Sequence, residues 1–142
     1  MVSIIIATHG KLAEGLLDSL ELITGMKDNI RTLSLERSMD VTEYGRILSD
    51  TVKEMDDLSG VIVFTDLFLA SPYNQAVLGY RNIGKDDKYY VVSGVNLPML
   101  IEAVNLRAMG KDISEIVAEA VENGKEGIHN FMGEYGQSLS VS

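Results

Sequence analysis

Short apolar runs along the chain alternate with stretches in which apolar residues recur every three or four positions. That alternation predicts strands joined by helical crossovers, and therefore a mainly parallel sheet covered on both faces. The first run, Val2 to Ala7, reads as a strand, and Leu12, Leu16, Leu20 and Ile23 then form one stripe of a helix that stops near Gly25. Ile30 to Leu35 alternates as a half-exposed strand does, and Asp40 with Glu43 makes a capping box ahead of Val41, Tyr44, Leu48, Val52 and Met55. Gly60 to Thr65 and Tyr89 to Val92 are nearly continuous apolar runs, as expected of strands buried on both sides, with a short helix from about Pro72 to Tyr80 between them. Asn96 caps the next helix, with Pro98 in its first turn and Leu97, Leu100, Ile101 and Val104 as its stripe. A last helix is expected from Asp112, with Ile113, Val117, Ala120, Ile128 and Phe131 on its apolar face and Gly124 and Gly127 as weak points unless close packing needs them. The reading is a single α/β domain over residues 1–132, an open doubly wound, mainly parallel sheet of order 2-1-3-4. Residues 133–142 form a tail in which Ser138 to Val141 could supply an edge or exchanged strand.

Composition narrows the function. The 142 residues suit one domain, and with 46% hydrophobic residues the chain can build a real core. A net charge of −9 argues against a nucleic-acid groove or a basic membrane face. The absence of cysteine removes thiolate metal sites and cysteine nucleophiles, and the two histidines lie far apart with no HExxH, so no metal and no cofactor is expected. No GxxxxGK(S/T) or GxGxxG pattern supports nucleotide use. The apolar start lacks a basic leader, and no apolar run approaches the ~20 residues of a membrane span, so the expected location is the cytoplasm.

In a doubly wound sheet the chemistry gathers beyond the carboxyl ends of the strands, where the strand order reverses, commonly between the first and third strands. The first strand here runs into Thr8-His9-Gly10 and the third into Thr65-Asp66-Leu67. Right-handed crossovers bring His9 and Asp66 to one edge. Alone, His9 is an ordinary turn histidine and Asp66 a turn or cap residue; placed together they form a working pair. A carboxylate that accepts the proton of one ring nitrogen fixes the tautomer and leaves the other nitrogen free as a nucleophile near neutral pH. Ser71-Pro72 then signals a helix start whose exposed N–H groups and positive dipole end suit a phosphate dianion, and the turn at Gly10 can offer a second such terminus. The chemistry these residues suggest is phosphoryl transfer through a phosphohistidine on His9, with Asp66 orienting the ring and Gly10 and Ser71 near the phosphate. His129, the other histidine, reads as a surface residue.

The segments Ile4-Ile-Ile-Ala-Thr-His-Gly10, Ala13-Glu-Gly15, Thr65-Asp-Leu-Phe68, Ser71-Pro-Tyr-Asn74 and Ser93-Gly-Val-Asn-Leu-Pro-Met-Leu100, in this order and spacing, resemble the EIIA component of the mannose family of the bacterial phosphoenolpyruvate-dependent sugar phosphotransferase system. The resemblance covers residues 1 to about 132. It implies a phosphotransferase in which His9 takes a phosphoryl group from the phosphocarrier protein HPr, with Nε2 as the phosphorylated atom. The group then passes to a separate EIIB component, which phosphorylates a sugar entering through membrane EIIC and EIID components. It also implies Asp66 as the partner of His9, Ser71 as a phosphate contact, and a homodimer that exchanges a strand, held at the membrane only through the transporter. One departure stands out: members usually carry a small Gly-Gly or similar pair where this chain has Leu69-Ala70, so Leu69 lacks glycine's backbone freedom and offers an apolar contact to a partner. A neighbouring alternative is the phosphotransfer subunit of a dihydroxyacetone kinase. A flavodoxin-like binding module or an aspartate receiver fits less well, since His9 stands where a receiver has acidic metal ligands.

Overall fold

A computed structural model describes residues 1–83 and 88–141, with side chains over 1–81 and 88–136. Four strands, β1 (Ser3–His9), β2 (Ile30–Leu35), β3 (Val61–Thr65) and β4 (Tyr89–Val92), form one sheet of order β2-β1-β3-β4. Every pairing is parallel, with Ala7 opposite both Leu33 and Thr65. The expected doubly wound order is thus observed.

The helices are α1 (Leu12–Thr24), α2 (Val41–Met55), α3 (Ser71–Ile83), α4 (Leu97–Ala108), α5 (Ile113–Glu126) and α6 (Phe131–Val141). Because side chains alternate along a strand, β1 and β3 each feed two cores. Ile4, Ile6, Ile62 and Phe64 pack with Leu20, Leu100, Val104 and Ile116 of α1, α4 and α5. Ile5, Ala7, Val61 and Val63 pack with Tyr44, Leu48, Val52 and Ala76 of α2 and α3. The central strands are therefore buried on both faces, which explains their unbroken apolar runs. The caps follow the sequence reading: Asp40 accepts from the Glu43 backbone N–H at 3.3 Å and Asn96 from that of Met99 at 3.1 Å.

Two expectations are corrected near the C-terminus. The last helix is two helices, and the tail of this chain is helical, not an added edge strand. Gly127 ends α5, and Asn130 starts α6 by accepting from the Gly133 backbone N–H at 3.2 Å while its carbonyl accepts from Glu134 at 3.0 Å. His129 and Glu134, 2.6 Å apart, brace the same turn. Gly124 has the close-packing role that excuses a helical glycine: a Cβ there would enter the Met99 side chain, and its carbonyl accepts from Asn96 Nδ2 at 3.2 Å. No helix among the described residues is long and apolar enough to cross a membrane.

Candidate active site

The register of the two central strands builds the site. Ala7–Thr65 is the last pair between β1 and β3; β1 continues along β2 to His9 while the chain turns at Asp66 after β3, and the two meet at the same sheet edge although 57 positions separate them. Asp66 Oδ2 accepts from the His9 backbone N–H at 3.0 Å and lies 2.8 Å from His9 Nδ1. Asp66 Oδ1 accepts from the Leu67 backbone N–H at 3.0 Å. The aspartate side chain is only 11% exposed, the imidazole 46%. Burial alone would push the Asp66 carboxyl up. The His9 backbone N–H, the ring hydrogen bond and the ring's charge more than offset it, so Asp66 titrates below the ordinary aspartate value. An ionised Asp66 can only accept hydrogen bonds, so neutral His9 carries its proton on Nδ1 and presents an Nε2 lone pair.

The surrounding turn is tied at several points. Gly10, at φ +54°, donates to the Leu35 carbonyl at 2.9 Å, fixing the start of the turn against β2 in a conformation suited to glycine. Thr8 Oγ1, buried, accepts from the Ala13 backbone N–H at 2.8 Å. Part of the α1 terminus is thereby already used, so the second helix end proposed for phosphate is less open than its sequence suggests. Tyr44, rising from α2, donates its hydroxyl to the Leu33 carbonyl at 3.0 Å. Burial, with the Asp66 charge adding, pushes that hydroxyl well up and keeps it protonated.

Ser71 stands in the first turn of α3, not ahead of it: the helix opens at Ser71, and the carbonyl of the preceding Ala70 accepts from Asn74 N at 2.9 Å. The connecting loop is pinned by Asn74 Nδ2, which donates to the Leu69 carbonyl at 2.8 Å, and by Ala70 N, which donates to the Leu67 carbonyl at 3.3 Å. Leu69 sits at φ +66°, in the left-handed region where glycine would be unstrained.

Since β1 lies between β2 and β3, His9 is flanked on its two sides by different chemistry. Asp66 holds it from the β3 side. On the β2 side, a cavity of about 460 Å³ is lined by His9, Gly10, Lys11, Leu35, Glu36 and Arg37, which brings two cations and one carboxylate to the imidazole's side in an otherwise acidic chain. Arg37 does not stand out in the sequence, because nothing marks a lone loop arginine before the tertiary fold is known, and Asn74, part of the Ser71-Pro-Tyr-Asn74 segment, shows its role in the loop only through its hydrogen bond to Leu69. His129 lies elsewhere, in the α5–α6 link. Among the described residues no group of three or more His, Cys, Asp or Glu side chains could hold a metal ion.

An open parallel α/β sheet with a histidine held by a carboxylate at the rim of its two central strands defines the class: a small doubly wound α/β domain with a paired imidazole and carboxylate at its sheet edge. The family model described as "PTS system fructose IIA component" matches residues 3–121. The chain is 32% identical over 127 residues to the mannose-specific EIIAB component of Escherichia coli K12, a match covering 89% of this chain and 38% of that protein. It is 28% identical to the fructose-specific EIIA component of Bacillus subtilis 168, covering 75% of this chain and 71% of the relative. The crystal structure of the phosphotransferase system component EIIA from Streptococcus agalactiae superposes with a TM-score of 0.84 at 32% identity, covering 94% of this chain and 99% of that one. The chain belongs to the EIIA family of the phosphoenolpyruvate-dependent sugar phosphotransferase system. It spans about two fifths of the EIIAB relative's length, corresponding to the 38% covered.

Proposed function

We propose that this protein is a phosphoryl carrier for sugar uptake: His9 takes a phosphoryl group from phospho-HPr and gives it to an EIIB component. The supporting observation is the 2.8 Å contact of His9 Nδ1 with a half-buried, ionised Asp66 at the carboxyl edge of the sheet. The Nε2 lone pair attacks phosphorus while the bond from phosphorus to the donor breaks and its electron pair leaves with the donor. The new N–P bond makes the ring cationic, and Asp66, already ionised and aimed at Nδ1–H, stabilises that cation without moving. Transfer to EIIB is the reverse: the N–P electron pair returns to Nε2 as the phosphoryl group bonds to the acceptor. Lys11, Arg37, the Gly10 turn and Ser71 in the first turn of α3 are the groups we assign to the phosphoryl oxygens. EIIC and EIID would complete the transporter, and the carrier would act in the cytoplasm as a homodimer. Residues 1–132 form the phosphotransfer domain in this reading, and the tail with α6 serves assembly.

The test is to incubate the protein with phosphoenolpyruvate, enzyme I and HPr and to look for an acid-labile, base-stable phosphate that moves on to EIIB. His9→Ala should take no label. Labelling of that variant would refute the assignment.

A further inference from the structure

The loop between Asp66 and α3 carries a contradiction that the carrier chemistry does not need. Leu67, Phe68 and Leu69 are 59%, 64% and 62% exposed, three consecutive large apolar side chains directly after the residue that orients the nucleophile. Leu69 also occupies a left-handed backbone conformation, φ +66°, that a leucine adopts only at a cost. Hydrogen bonds around it impose that conformation, from Asn74 Nδ2 to its carbonyl and from Ala70 N to the Leu67 carbonyl, and neither uses its side chain. The loop path therefore gains nothing from leucine at this position. Phe68 is braced edge-on by Tyr73, with ring centroids 5.1 Å apart, so the ridge is ordered before anything meets it.

We propose that Leu67, Phe68 and above all Leu69 are the docking ridge for the phosphoprotein donor, and that Leu69 is a specificity-determining residue whose side chain serves the donor at the cost of backbone strain. The inference rests on the carrier reading and names the surface through which the donor is held. A donor must bring its phosphorus to His9 Nε2, and the ridge begins one residue beyond the aspartate that contacts the ring. It also arrives with a phosphoryl dianion at a chain of net charge −9, so although Lys11 and Arg37 stand beside the imidazole at short range, long-range charge opposes the encounter. Apolar burial at the rim supplies the attraction that long-range charge does not. The unphosphorylated acceptor brings no such dianion, and for that reason we assign the ridge to the donor.

The experiment compares wild type, Leu69→Gly and Leu69→Asn, two residues that accept the left-handed conformation without the apolar side chain. Each is phosphorylated by phospho-HPr and, separately, by the small donor phosphoramidate, which needs no docking surface. Both variants should show a KM for phospho-HPr raised about tenfold, the loss of roughly one buried leucine contact. Their kcat and their rate with phosphoramidate should stay within about twofold of wild type. An unchanged KM in both variants would overturn the docking role, as would an equal loss with phosphoramidate, which would place Leu69 in the phosphate geometry instead. A defect confined to transfer to EIIB would overturn the assignment to the donor. If wild type takes label from neither donor, the carrier reading itself fails and this inference falls with it; label on wild-type His9 with no KM change in the variants refutes the ridge alone.

Discussion

Replacing Asp66 by Asn keeps the side-chain shape and removes one charge, which makes it the sharpest probe of the site. The carboxylate accepts from the His9 backbone, the His9 ring and the Leu67 backbone. An amide has one oxygen to offer. If that oxygen faces His9, the amide NH₂ opposes the Leu67 N–H; if it faces Leu67, the NH₂ opposes His9 and favours the ring tautomer with its proton on Nε2. The first arrangement loses the charge that stabilises a phosphorylated, cationic ring, and the second blocks the nucleophile outright. A hydrogen bond to a charged group contributes ~1.5–3 kcal/mol, so single-turnover transfer from phospho-HPr should fall by a factor of about 10 to 100. The pH dependence has a definite sign. Asp66 titrates below its ordinary value when folded, so its contribution to stability is fully present above the unfolded aspartate pKa of ~3.9 and is lost as pH falls through the lower folded value. The stability difference between wild type and Asp66→Asn should therefore be constant near neutrality and shrink in acid. Quench-flow measurement of phosphohistidine and denaturant unfolding at several pH values read both effects. Transfer within twofold of wild type, together with an unchanged imidazole tautomer by ¹⁵N NMR, would refute the reasoning.

Other outcomes follow from single contacts. Leu69→Gly exchanges left-handed strain of ~1–2 kcal/mol for glycine's extra unfolded-state freedom of ~0.5–1 kcal/mol, so stability by urea denaturation should rise by about 0.5–1 kcal/mol; a loss would mean the leucine is not strained. Gly60→Ala places a Cβ 2.6 Å from Ile113 Cδ1 and 2.9 Å from the Lys88 carbonyl at φ +105°, and should destabilise by about 2–4 kcal/mol, with no loss meaning that the strand entry relaxes freely. Ser71→Ala should slow transfer about tenfold through loss of the phosphate contact proposed for it while leaving the melting temperature nearly unchanged; transfer at the wild-type rate would remove Ser71 from the phosphate site. His129 should titrate above its ordinary value because it is hydrogen-bonded to Glu134, and Glu134→Gln should return it toward that value in an NMR titration.

Much of this site is legible in the sequence, for specific reasons. Strand order followed from strand–helix alternation, because each crossover must be right-handed and each central strand must bury both faces, as the unbroken run Ile4 to Ala7 shows. That order alone brings His9 to Asp66. The loop after Asp66 is legible only in part: the missing glycines mark Leu69 as unusual, but its positive φ accompanies two local bonds, Asn74 Nδ2 to the Leu69 carbonyl and Ala70 N to the Leu67 carbonyl, that no propensity of leucine announces. The tail misled because Ser138 to Val141 has strand-like residues, whereas the decisive signal lay upstream in Asn130, a capping residue three positions before Gly133. Arg37, just past the carboxyl end of β2, and Tyr44, on α2, approach the site through the fold, and no local pattern announces either as a site residue.

The most direct test of the central claim is heteronuclear ³¹P–¹⁵N correlation on the protein after phosphorylation by phosphoenolpyruvate, enzyme I and HPr. The account predicts phosphorus bonded to His9 Nε2, with Nδ1 protonated and hydrogen-bonded to an ionised Asp66. Phosphorus on His9 Nδ1, on His129 or on a carboxylate would contradict it.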